Sequence, residues 1–420
     1  MADENRSRAA ADGYIAARMR DLAQALAADA GPDADNLNDV LKILSAILHY
    51  ESLDELDALK ALYDPLDPEA AERLRNTSEA TFEAFERAFT AALERGNFVE
   101  IEADDVRTAE ATKHLTGLKI KPSQAGIRRV RFFARGAHPE QIEVKTWFGL
   151  RTRTLAVDVM SDVIVLVGFK PESEIDKTDR KAFARMRRGV RPGAALVKHF
   201  RNVAGPELVT LHPGARPSMR PRDQVFLAAP ALAAGVPVVL NLWPALTILF
   251  AVLAAYFGAR GVIEESELKR ALAAMSGLVA VGAFVMRQRL KYEAQTLRYQ
   301  KQLADTVYFR NLANNAGVLD LLIGAGQEQD AKEALLAYTL LLRAETGMGK
   351  GELDLAAETF LRARLQLDLD FEIGDALAKL ERLGLVSHDS GHYRALSTGD
   401  ALARLDAAWD SYFNFSRVRG

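Results

Sequence analysis

Cysteine is absent from this 420-residue chain. That absence excludes disulfides, thiolate nucleophiles and cysteine-ligated metals, and it fits a reducing compartment. Histidine is sparse: seven residues, His49, His114, His138, His199, His212, His388 and His392, scattered along the sequence. Only His388 and His392 come close enough to face each other, across a predicted turn, and no third ligand accompanies them. The first 30 residues are not expected to act as a secretory signal, because Met1 to Arg20 is polar and charged where a signal needs a basic start and an apolar core. Phosphate loops fare no better. Gly347-Met348-Gly349-Lys350-Gly351 lacks the Walker spacing and the Ser or Thr after the lysine, and it follows a helix where a strand is needed. It reads as a helix-ending loop, as does Gly324-Ala325-Gly326. No catalytic residue, cofactor or metal follows from these residues, which leans away from an enzyme.

What is present is enough apolar sequence for two or three domains. Half the residues are hydrophobic and a quarter charged, so the chain is not broadly disordered. The net charge of −3 conceals a division. Residues 1–110 carry 25 acidic and 11 basic side chains, a net of −14, whereas residues 111–222 carry 9 and 23, a net of +14. Either the two regions pack together, or the basic one faces an anionic surface.

Periodicity makes the N-terminal region helical. Ile15, Met19, Leu22 and Leu26 recur at helical spacing, followed by Val40, Leu41, Leu44 and Leu48. Phe82, Phe85, Phe89 and Leu93 form one stripe that Gly96 stops. Further on the pattern changes to β-branched and aromatic residues at 130–133, 143–148, 152–159, 163–169 and 196–200, which predicts a small, mostly antiparallel sheet.

Residues 224–259 contain no charge, and 271–286 form a second uncharged run flanked by Lys269, Arg270, Arg287 and Arg289. A helix needs about 20 apolar residues to cross a bilayer. The expectation is a two-pass membrane hairpin with spans near 236–258 and 270–288, the alternative being a buried hairpin in a large core. Basic residues Arg216, Arg220 and Arg222 before the hairpin, and Lys291, Arg298 and Lys301 after it, orient both termini to the cytoplasm by the positive-inside rule. Small residues Ala254, Ala255, Gly258, Gly277 and Gly282 permit helix contact and homo-oligomerisation.

The fold class expected is therefore an α+β membrane protein of the inner membrane. Residues 1–110 form an acidic helical region, 111–222 a basic β-rich domain, 223–290 the membrane hairpin, 291–345 a helical segment, and 346–420 a winged-helix-like module with a terminal helix. In that module a short strand is expected at 365–371 and a hairpin at 385–396.

Two polar groups stand out. Arg180, Lys181, Arg185, Arg187, Arg188 and Arg191 make a basic run without an acidic residue, which suits anionic lipid headgroups if it is not a plain solvated loop. Nucleic acid is the less favoured partner, since the module's candidate recognition helix, with Glu372, Asp375 and Glu381 against Lys379 and Arg382, is acidic. Asp330 and Glu333, with Asn311, Asn314 and Asn315 upstream, form a polar cluster whose bland reading is a solvated helix face.

Val307-Tyr308-Phe309-Arg310-Asn311-Leu312, Asn314 to Leu319, Lys198-His199-Phe200-Arg201-Asn202-Val203 and Leu62-Tyr63-Asp64-Pro65 carry a resemblance. They are similar to the domain-of-unknown-function 3754 family (transmembrane protein 143-like), over roughly residues 60 to 415. The resemblance implies a two-span membrane protein and no activity. The expected role is a membrane-anchored scaffold or regulatory protein; the alternatives are a homo-oligomeric pore or transporter, or an enzyme acting on lipid-linked substrates.

Overall fold

The computed structural model describes residues 13–28, 33–70, 78–101, 119–146, 151–186, 190–218, 265–344 and 346–412, with a few positions between 246 and 258. The chain divides into two compact units. One comprises residues 1–109, 124–213 and 310–420, the other residues 110–123 and 214–309.

The first unit begins with helices α1 (Met19–Ala27), α2 (Ala34–Tyr63) and α3 (Glu79–Arg95). Ser78 starts α3 by accepting the Thr81 N–H at 3.2 Å, satisfying a backbone donor that the helix cannot. Phe82, Phe85, Phe89 and Leu93 all lie buried on one face. Strand β1 (Val99–Glu100) follows; β2 (Lys119–Pro122) belongs to the second unit. Strands β3 (Ile127–Thr146) and β4 (Arg151–Phe169) then form one long antiparallel hairpin. Four separately expected strands thus merge into two. Gly136 adopts φ +65, which a glycine tolerates without Cβ strain, so the ladder continues past it.

Helix α4 (Arg180–Met186) and strand β5 (Ala195–Ala204) come next, then a 3-10 segment at Gly205–Leu211. After β6 (Ala215–Ser218) and helix α5 (Glu265–Arg310), strand β7 (Asn311–Asn314) returns to the sheet. The sheet order is β1-β3-β4-β5-β7, antiparallel throughout. From Val163 to Phe169 every residue of β4 is buried, as expected of a strand covered on both faces.

Helix α6 (Ala316–Arg343) is the hub of this unit. Ala331 to Leu341 is buried all round, the mark of a helix enclosed by others. Its N-terminal half joins the cluster of α3 and the sheet, with Val318, Leu319 and Leu322 beside Phe85, Phe89, Ile164 and Val197. Its C-terminal half joins α1, α2 and the C-terminal elements, β8 (Met348–Gly349), α7 (Lys350–Leu365), α8 (Ile373–Arg382), β9 (Val386–Asp389), β10 (His392–Ala395) and α9 (Thr398–Tyr412). The third strand of the C-terminal sheet is Met348–Gly349, pairing with β10, and not the expected 365–371.

The acidic and basic regions do meet. Glu86 of α3 accepts from Arg129 at 2.5 Å, and Glu100 pairs with Arg131 at 2.6 Å.

In the second unit β2 pairs with β6, and α5 extends for 46 residues. The expected membrane fold needs correction. Among the described residues, no helix is long and apolar enough to cross a membrane. The second expected span, 270–288, lies within α5, where the uncharged run of 16 residues falls short of the roughly 20 required and is closed by charge at both ends. The first, 236–258, lies mostly outside the described residues. With the hairpin go the two-pass assignment, the inner-membrane location and the placement of both termini, since all three rested on it.

Candidate functional site

Ionisable side chains are rarely enclosed without partners, so buried ones mark where this sequence does something other than fill a core. Two groups of them stand out, one on the sheet and one on α6.

The first lies on one face of the sheet. Arg135 of β3 stands opposite Asp162 of β4, and Asp162 opposite Arg201 of β5. Arg135 donates to Asp162 Oδ2 through Nε at 3.0 Å and Nη2 at 2.9 Å, and through Nη1 to the Gly96 carbonyl at 2.9 Å. Its guanidinium lies 4.3 Å from the Tyr14 ring and 4.5 Å from the Phe98 ring, a cation between two aromatic faces. His199 Nε2 donates to Asp162 Oδ1 at 2.9 Å. Burial alone would push the Asp162 carboxyl up, but the His199 hydrogen bond and the Arg135 charge outweigh it and hold the group at about 2. His199 Nδ1 is enclosed and has no hydrogen-bond partner among the described residues. An imidazole so enclosed is not presented to a substrate arriving from solvent, and the constellation is built to hold three strands and the Gly96 turn together.

The second place is a cleft of ≈ 240 Å³ walled by α2, α3, α6 and α8. Leu48, Ala92, Leu322, Ile323 and Gly326 give it an apolar floor. Three ion pairs ring it. Arg382 forks onto Glu51 at 2.6 and 2.8 Å, Arg95 forks onto Glu55, and Lys379 donates to Asp330 at 2.5 Å. Tyr412 also donates to Glu51.

One turn along α6 from Asp330, Glu333 is buried, with the Asn97 side chain bonded to it. Burial pushes its carboxyl up to about 8, against the pull of the Lys379 charge, and the nearby Asp330 charge adds to the rise. Burial raises Asp330 as well, against Lys379. Next to these residues on the same helix, Gln329 and Lys332 bind the backbone of Ile15. The Gln329 amide accepts the Ile15 N–H at 3.1 Å and donates to its carbonyl at 3.3 Å; Lys332 donates to that carbonyl at 3.3 Å and pairs with Glu328 at 2.9 Å.

The sequence-derived candidates distribute unevenly over these places. Asp330 and Glu333 lie at the cleft and just behind it. Asn311, Asn314 and Asn315 do not join them, because β7 carries Asn311 and Asn314 against β5, and Asn315 precedes α6 with its N–H on the Val197 carbonyl at 2.7 Å. Along α6, Asn315 and Asp330 are roughly 22 Å apart at the helical rise.

Of the basic run, Arg180 and Lys181 are exposed on α4. Arg191 turns inward to the carbonyls of Asp67, Pro68 and Ala70, so it ties a loop instead of extending a charged surface. Arg187 and Arg188 lie outside the described residues, as does the side chain of Arg185. His388 does not face His392; the register sets it against Tyr393, and the rings stack at 4.2 Å. The glycine-rich loop contributes β8, and the Gly349 N–H is capped by Glu352 at 2.9 Å.

The Arg135–Asp162–His199 group was missed. Its signal was a single carboxylate, Asp162, inside the apolar run 159–169, which cannot be buried unpaired.

Residues 160–317 match a family described as protein of unknown function, DUF3754. The DUF3754 match takes in β4 from Met160 onward, β5, α5 and β7, and so includes Asp162 and His199 but neither Arg135 nor the cleft. No solved structure matches the chain.

Proposed function

We propose that this protein is a regulatory scaffold whose input is a small zwitterionic ligand taken up in the cleft between α2, α3, α6 and α8. The observation that carries this reading is the ring of three ion pairs over an apolar floor. A purely anionic ligand reaches Arg95 or Arg382 only by displacing Glu55 or Glu51, leaving that carboxylate unpaired in a partly enclosed site. A molecule bearing both a carboxylate and an ammonium group replaces both halves of an opened pair, so no charge is stranded. The volume suits something of amino-acid or dipeptide size.

Regulation follows from where the walls come from. Helices α2 and α3 lie early in the chain, α8 lies late, and α6 joins them. A ligand bridging the walls stabilises their association by mass action.

The test is a thermal-shift titration with free amino acids and dipeptides, run beside their methyl esters and N-acetyl forms, each of which lacks one charge. A rise of about 2–4 °C at saturating zwitterion is expected. It should be absent with the singly charged forms and lost in R382Q/K379Q. A response shared equally by the esters, or no response to any of them, would sink the reading.

A further inference from the structure

The second unit carries a surface of a different kind. Helix α5 extends about 70 Å at the usual rise. Leu272, Val279, Met286, Leu290 and Leu297 are all exposed along it. With Ser276, Ala283 and Glu293, which are exposed too, they occupy 272, 276, 279, 283, 286, 290, 293 and 297. The steps alternate four and three, the seam by which two helices pack knobs into holes.

One seam position decides the partner and its direction. Glu293 sits on the apolar line, and a carboxylate there is costly unless it meets a cation. In a parallel pair of identical helices Glu293 meets its own copy, a like-charge contact. In an antiparallel pair with Leu272 against Leu290 of the second copy, Val279 meets Ala283, Ser276 meets Met286, and Glu293 meets Lys269. Arg287 and Arg289 then fall beside residues 273–275, Ala-Ala-Met, which carry no charge. Near the crossing point is Gly282, where an added Cβ would meet nothing within 4 Å, so a second backbone has room to approach.

Among the described residues, Lys269 and Glu293 pair with exposed partners one turn away, Glu265 at 2.8 Å and Arg289 at 3.1 Å. Such pairs contribute little and exchange readily. We propose that α5 pairs antiparallel with α5 of a second copy of this chain, in the register that sets Leu272 against Leu290 and Lys269 against Glu293.

Because the chain has no cysteine, single cysteines report the geometry directly. Full-length L272C and L290C are purified separately, then oxidised alone and mixed. The antiparallel register gives a cross-linked dimer from the mixture and none from either variant alone, since identical positions lie roughly 27 Å apart along the axis. Cross-linking of each variant with itself, or a wild-type sedimentation mass of a monomer at micromolar concentration, overturns the proposal.

The charge pair is tested separately. K269E and E293K should each weaken dimerisation about tenfold, and the double exchange K269E/E293K should restore it. A double variant as weak as the singles overturns the register. All these side chains face outward, so circular dichroism should show unchanged helix content.

Discussion

Arg135 and Asp162 are cross-strand partners on β3 and β4, with side chains only 6% and 4% exposed. Each desolvated charge is tolerable because the other is there, and because Gly96 and His199 take up the remaining donor and acceptor. Removing one partner leaves the other enclosed and uncompensated. Asp162→Asn and Arg135→Met are each expected to lower unfolding stability by about 3–5 kcal/mol. Urea denaturation measures this, and a loss under about 1 kcal/mol would show the pair to be dispensable.

The same carboxylate sets an acid limit. Asp162 titrates at about 2 in the folded chain against an ordinary 3.8. Its depressed value means that its stabilisation is complete above 3.8 and is lost as pH falls from there toward 2. The expected size is about 2 kcal/mol. Urea midpoints followed down through this window should show the loss in wild type and a smaller one in Asp162→Asn. Identical acid profiles for the two would contradict the assignment.

Glu333 works with the opposite sign. Its folded value of about 8 exceeds the ordinary 4.5, so the folded state keeps a proton that the unfolded chain releases. Stability is therefore highest below 4.5, declines as pH rises from 4.5 to 8, and levels off beyond. The groups acting on Glu333 are Asp330 on α6, Lys379 and Asp375 on α8, and Asn97 after α3. Glu333→Gln should flatten this decline in a series of melting temperatures from pH 5 to 8.5. A slope unchanged by the substitution would assign the dependence elsewhere.

Local pattern made part of this legible. The Phe82–Phe85–Phe89–Leu93 stripe and its Gly96 stop needed only helical spacing, and the paired charges of residues 1–110 and 111–222 needed only counting. The polar network was not legible, because its members meet through strand register and distant packing. Ile15 is held by Gln329, 314 residues later, and no window of sequence contains both. Grouping Asn311, Asn314 and Asn315 with Asp330 and Glu333 failed for the converse reason, since closeness along a chain becomes separation once a helix intervenes. The second expected span failed on length, since the uncharged run 271–286 holds 16 residues where roughly 20 are needed.

The packing of α3 on the sheet yields the last prediction. Gly168 of β4 has no side chain, and the Phe82 ring fills the space. A Cβ there would lie 2.6 Å from Phe82 Cζ, closer than carbon atoms approach. Its φ is not in the left-handed region, so the constraint is one of space and not of backbone. Gly168→Ala must displace a ring that is 3% exposed and enclosed by the core. The expected loss is about 1–3 kcal/mol. Phe82→Leu removes the far end of the ring and costs stability alone, yet in combination it should relieve the clash, so the double variant is more stable than the two losses added together. A double-mutant cycle in urea measures that coupling. Strict additivity would mean that Gly168 is tolerated or required for some reason other than the aromatic ring above it.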